Sequence, residues 1–168
     1  MAWKQNIIED FKQLVSFDSI SFHERKTADW LLARLKSMGF SVEEDQAGAY
    51  YGGDTGNIFA VLDGELEGEL EGDPVIFVDP GSGKKSVLEK DGTIHSAGDT
   101  VLGADDISGI LEILYGVQLV LDSGKPHKKI EILFTIGEEL YVKGSDVFDY
   151  SKVTAKQAYV LDLSEETT

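Results

Sequence analysis

Leu102-Gly-Ala-Asp-Asp-Ile-Ser-Gly109, an apolar stretch to Leu121, then Ile132-Leu-Phe-Thr-Ile-Gly-Glu-Glu139: this succession decides how the whole chain reads. Ile110, Leu111, Ile113, Leu114, Val117, Leu119, Val120 and Leu121 wrap most of the circumference of a helix over 108–121, the pattern of a helix packed deep against a sheet. Gly124–Lys125–Pro126 ends it. The run 130–136 is rich in β-branched and aromatic residues and reads as a central strand, with the acidic pair Glu138–Glu139 just beyond its end.

Working outward, Ile7, Ile8, Phe11, Leu14 and Val15 recur at helical spacing and predict a first helix over 3–15. A second helix is expected from Ser21, with Glu24 reaching back as the other half of a capping box. Ala28, Leu31, Leu32, Leu35 and Met38 form its buried stripe, and Gly39 is its left-handed stop. Residues 40–44 and 57–62 read as strands, and the Gly- and Tyr-rich segment 47–56 between them as a loop. The repeat Gly-Glu-Leu-Glu at 64–67 and 68–71 reads as an expanded surface turn, and 74–78 as a short apolar strand. Asp91–Gly92 between two short strands is a hairpin signal. A last strand is expected over 158–163. Helices alternating with strands predict one layered α/β domain over residues 1–168.

The 168 residues carry 31 acidic and 15 basic side chains, a net charge of −16. Such a surface repels phosphate backbones, so nucleic acid is not expected as a partner. No run reaches the roughly 18 apolar residues of a membrane span, and the opening residues do not form a leader. Cysteine is absent, which excludes disulfides and thiolate metal sites; these features together favour the cytoplasm.

Three acidic groups fall at the ends of apolar elements: Asp105–Asp106, Glu138–Glu139 and Asp162. Ligands of open α/β sheets bind outside the carboxyl ends of the strands, where Glu138, Glu139 and Asp162 are expected. Each group also has a structural reading. The aspartates suit a helix amino terminus, the glutamates a solvated turn, and Asp162 a backbone hydrogen bond.

The order and spacing of these segments, with Gly144–Ser145 downstream and Thr55–Gly56–Asn57 upstream, resemble peptidase T and related dinuclear zinc exopeptidases, over nearly the whole chain. The resemblance implies the front half of a three-layer α/β/α catalytic domain without its lid, and short peptides as substrates. It implies two zinc ions bridged by Asp106, with Glu139 a ligand to one, Asp162 a ligand to the other, and Glu138 the general base. Asp105 is not counted as a ligand.

The chain departs from that pattern. A His-x-Asp segment expected after an early strand is missing from Pro74-Val-Ile-Phe-Val-Asp-Pro-Gly-Ser-Gly-Lys-Lys85, and Asp79 does not replace it. His23 lies beside a helix cap and His127 at the far end of the sheet; His95, on the hairpin, is the one substitute in the right region. The family's later histidine ligand also lies past Thr168. An all-oxygen set suits Mg²⁺, Ca²⁺ or Mn²⁺ better than zinc, so weak metal binding and no activity of this chain alone are expected. The alternative is a degenerate, non-enzymatic relative binding a cation, peptide or protein. Strand 158–163, with nothing after it to pair, would invite a homodimer.

Overall fold

Strand β2 (Ile58–Leu62) organises the fold because both of its faces are apolar. The computed structural model describes residues 2–66, 86–88, 91–98 and 101–161. β2 pairs antiparallel with β1 (Ser41–Glu44) on one side and with β5 (Ile130–Phe134) on the other. Ile58 stands opposite Phe134, Ala60 opposite Ile132 and Leu62 opposite Ile130, so one face of the sheet presents a continuous apolar row.

Against that face pack α1 (Ala2–Val15), α2 (Arg25–Ser37) and α4 (Ala104–Asp122). Phe11, Leu14 and Val15 of α1, Leu31 and Leu35 of α2, and Ile107, Ile110 and Leu114 of α4 form one buried cluster with Ile58, Ala60, Ile132 and Phe134. The opposite face carries Phe59 and Leu133, covered by Phe148 with Val153 and Ala155. Buried Glu131 fastens this second layer: its carboxylate accepts the amides of Thr154 and Ala155, each at 3.0 Å, and the Thr154 hydroxyl at 2.5 Å. The α/β class and its layering are therefore as expected.

Shorter elements complete the described chain: α3 (Ala47–Tyr51), the hairpin of β3 (Ser86–Leu88) and β4 (Ile94–Ser96), and α5 (Lys143–Val147). The hairpin turns at Asp91–Gly92 as predicted; the Asp91 carboxylate accepts the Thr93 amide at 2.9 Å, and Gly92 has φ +93°.

Three expectations need correction. The second helix begins at Arg25 rather than Ser21, and Glu24 is not half of a capping box; its carboxylate accepts the Phe22 amide. Residues 47–51 are helical, with Gly52 at φ +71° as the stop. Among the described residues β5 has one strand neighbour, β2. Residues 158–161 form no strand, and Tyr159 and Val160 are exposed, because no described strand pairs with them. The 64–71 repeat beyond Leu66, the 74–78 strand and residues 162–163 lie outside the described residues.

Candidate functional site

The turn 123–129 reverses the chain between α4 and β5. The amino end of α4 and the carboxyl end of β5 therefore lie at the same end of the sheet, which is where two of the acidic pairs sit.

At the head of α4 the helical path is broken at Asp105 (φ −92°, ψ 106°) and Asp106 (φ −120°, ψ 56°), and the peptide between them is cis. Helical geometry resumes at Ile107, so Asp106 takes the capping position. Its Oδ1 accepts the Gly109 amide at 2.6 Å and the Ser108 hydroxyl at 3.1 Å, a bond pattern that satisfies amides the first helical turn leaves without partners. Asp105 is exposed and makes no such bond. Gly109 is the complement of this carboxylate: a Cβ there would lie 2.2 Å from Asp106 Oδ2.

Beyond β5, Thr135, Ile136 and Gly137 are buried, and Glu138 opens a single 3-10 turn, Glu138–Leu140. Glu138 is half-buried and Glu139 exposed. Gly137 at φ +63° makes the reversal, and its lack of a side chain matters again, because a Cβ would meet the Phe22 ring at 2.5 Å. Phe22 itself stacks on Tyr51, with ring centroids 5.0 Å apart, and the Tyr51 hydroxyl donates to the Lys143 carbonyl at 3.1 Å.

The loop carrying the two glutamates is closed at its base by Asn57, which is fully buried. Asn57 Oδ1 accepts the Ile136 amide at 3.1 Å, while Nδ2 donates to the Gly144 carbonyl at 2.9 Å and to Asp45 Oδ2 at 2.8 Å. The Gly144 amide returns to the Ile136 carbonyl at 2.8 Å. Asp45 Oδ1 in turn accepts the amides of Ala47 and Asn57, both at 2.8 Å, so every polar atom of the Asn57 side chain has a fixed partner. Nearby, Glu44 receives Arg25 through both guanidinium amines (2.7 and 3.0 Å), together with the Gly56 amide at 3.0 Å.

A second buried carboxyl holds the same turn. Glu24 is only 2% exposed; its Oε1 accepts the amides of Phe22 at 2.8 Å and Gly137 at 3.2 Å, and its Oε2 is buried with no hydrogen-bond partner. Burial raises its pKa above the ordinary glutamate value; the two amides oppose the shift and the charge of Asp54 adds to it.

Of the residues singled out from sequence, Asp106, Glu138 and Glu139 are thus placed at one end of the domain, while Asp162, like Asp79, lies outside the described residues. His95 is exposed on its hairpin, with Nδ1 2.6 Å from the Ser96 carbonyl, and His23 stands 3.6 Å from Asp54. Among the described residues no three histidine, aspartate or glutamate side chains converge closely enough to hold a metal ion. The described carboxylates alone therefore do not make a zinc site. Sequence reasoning missed Glu24 and Asn57 as the residues that fix the glutamate loop. Both bond to residues far along the chain, so no local pattern marks them.

No protein-family profile matches the chain. It is 31% identical over 168 residues to the uncharacterized protein YqjE of Bacillus subtilis, covering 96% of this chain and 44% of that relative. Peptidase T of Vibrio cholerae is 43% identical over 70 residues, or 41% of this chain and 17% of the enzyme. Among solved structures, the aminopeptidase PepT of Bacillus cereus superposes with a TM-score of 0.84 at 32% identity, and a tripeptidase of Staphylococcus aureus with 0.85 at 25%. Each match covers 95% of this chain and 43% of the solved one, so the chain spans less than half the length of these relatives. The fold is that of an α/β peptidase domain. More narrowly, the chain is peptidase T-like, matching an amino-terminal portion of those proteins.

Proposed function

We propose that the chain supplies one wall of a metal-dependent peptidase site for short peptides and that, by itself, it hydrolyses nothing. The observation that carries this reading is the Gly137–Glu138 turn, braced by Asn57 and Glu24 at the same end of the sheet as the Asp106 cap. A braced carboxylate at a strand end is the arrangement required of a general base, which must be held within reach of the proton it takes. In this reading Glu138 moves the proton, while Asp106, Glu139 and Asp162 are metal-ligand candidates.

A catalytic metal of this class needs three or more protein donors, and the described carboxylates do not bring three together. The chain also covers only 43% of the solved PepT. In this reading the described carboxylates bind Zn²⁺ or Mn²⁺ weakly. Hydrolysis of di- and tripeptides with either metal, compared with Glu138→Ala, tests the proposal; equal background rates are expected. A metal-dependent rate lost in Glu138→Ala would show that the chain is an enzyme as it stands. Tight stoichiometric zinc in the purified chain would show that the site is complete.

A further inference from the structure

Beside Glu24 lies a cavity of about 20 Å³, lined by Glu24, Thr27, Thr55 and Thr135 together with apolar side chains that include Leu31 and Phe134. This is room for a single water, which needs roughly 10–15 Å³ and two or more polar partners. Glu24 lines the space, is 98% removed from solvent, and leaves Oε2 without a hydrogen-bond partner. A buried carboxyl oxygen left without a hydrogen bond costs more than a made bond gains, so such an atom beside a water-sized space that three threonines help to line marks a site. A cation fits less well. The Thr27 hydroxyl is shared with Ser19 at 2.6 Å and that of Thr55 donates to Glu44 at 3.1 Å, which leaves one carboxyl where a desolvated ion needs several oxygens.

We propose that Glu24 is the positioning residue of the Gly137–Glu138 turn, and that one water molecule bound in this cavity completes its second oxygen. Oε1 ties two amides from opposite sides of the turn: Phe22, whose ring lies against Gly137, and Gly137 itself. The water donates one hydrogen to Oε2 and the other to a threonine oxygen lining the space, whose lone pairs stay open even where its proton is committed. The latch stands on its own geometry; that it serves catalysis rests on Glu138 being the general base.

The charged surroundings of Glu24 are one-sided. Asp54, after α3, adds repulsion and is itself faced by His23 at 3.6 Å, while neighbouring Arg25 is turned to Glu44 at 2.7 Å. The folded chain therefore holds the Glu24 proton more tightly than the unfolded chain. Its stabilising contribution is full at acid pH and falls as pH rises from the ordinary glutamate value of 4.5 through the raised folded value.

Amide hydrogen exchange of the 168-residue chain, followed by NMR without metal or peptide, tests the latch. At one pH, Glu24→Leu should speed exchange at Gly137 by about tenfold, the equivalent of one lost hydrogen bond, with Leu133 unchanged. Glu24→Gln keeps an acceptor oxygen, so it should retain Gly137 protection while reducing the loss of stability with rising pH. A water should be seen within hydrogen-bonding distance of Glu24 by water–protein NOE or high-resolution density. If Glu24→Leu does not fold, Glu24→Asp, one methylene short of Gly137, replaces it with the same expectation. Wild-type exchange at Gly137 as fast as in Glu24→Leu or Glu24→Asp, an undiminished loss of stability with rising pH in Glu24→Gln, or a dry cavity would each overturn the proposal. Because these readouts need no turnover, they separate failure of the latch from failure of the peptidase reading, which the Glu138→Ala comparison decides.

Discussion

The Gly109 amide donates to the Asp106 carboxylate at 2.6 Å, and a Cβ on Gly109 would lie 2.2 Å from the other carboxylate oxygen. The two residues are fitted to each other, one as cap and the other as the space the cap occupies. Gly→Ala inside a helix is ordinarily stabilising by about 1 kcal/mol. At 109 the sign should reverse, because relieving the overlap costs about 1–3 kcal/mol. At Gly116 of the same helix a Cβ would meet nothing within 4 Å, and Ala there should stabilise by about 0.5–1 kcal/mol. Urea unfolding of both variants tests this. In an Asp106→Ala background the cost of Gly109→Ala should vanish, a coupling that a general helix effect cannot produce.

Asn57 should be among the costliest polar residues to replace. Asn57→Ala leaves the Ile136 amide, the Gly144 carbonyl and one Asp45 oxygen without their partner, the first two buried and the third half-buried. At about 1–3 kcal/mol per orphaned group, a loss of about 3 kcal/mol or more is expected in equilibrium unfolding. Gly144→Ala should disturb the same joint, since its Cβ would stand 2.3 Å from Asn57 Oδ1. A loss under about 1 kcal/mol for Asn57→Ala would mean that the base of the glutamate loop is held by backbone bonds alone.

Tyr141 offers the opposite case, a residue whose removal should help. It sits at φ +68° and is 88% exposed, so it bears the cost of the left-handed region with little packing in return. Tyr141→Gly should stabilise the chain by up to about 1 kcal/mol, part of the relief being offset by the greater freedom of glycine in the unfolded state. A destabilised variant would instead show that the Tyr141 ring packs in solution.

How much of this was legible in the sequence depends on the range of the interaction. Local and periodic features read correctly: the apolar wrap of α4, the Asp91–Gly92 turn, and an acidic pair one short segment past β5. The Ser21–Glu24 spacing matches a capping box, yet Glu24 is drawn away by the Gly137 amide, 113 residues distant, and the helix starts later. The apolar composition of 158–161 satisfies a strand pattern, but a strand needs a partner, and none is described beside it. For α3 the glycines and tyrosines suggested a loop, whereas packing decides the helix: Gly48 is pressed so closely on the Thr55 carbonyl that only glycine fits.

Acid should release the clamp between Arg25 and Glu44. Glu44 is half-buried, and its burial alone would raise its pKa. The hydrogen bonds from Arg25, from the Gly56 amide and from Thr55, with the guanidinium charge, outweigh that and hold it below the ordinary carboxylate value. A carboxylate depressed in the folded state contributes stability that is present above its unfolded value of 4.5 and is lost as pH falls through the folded value. Glu24 has the opposite sign, so the two residues act on opposite limbs of the stability curve. Thermal unfolding of wild type and Glu44→Gln between pH 7 and pH 3 should therefore show the variant less stable at pH 7, with the difference shrinking below about pH 4.5. Arg25→Met should reproduce that loss at neutral pH and leave Glu44 easier to protonate. Parallel curves for wild type and Glu44→Gln across the range would show that the Arg25–Glu44 clamp does not survive in solution, and that the segment from Glu44 to Asn57 is held by Asp45 and Asn57 instead.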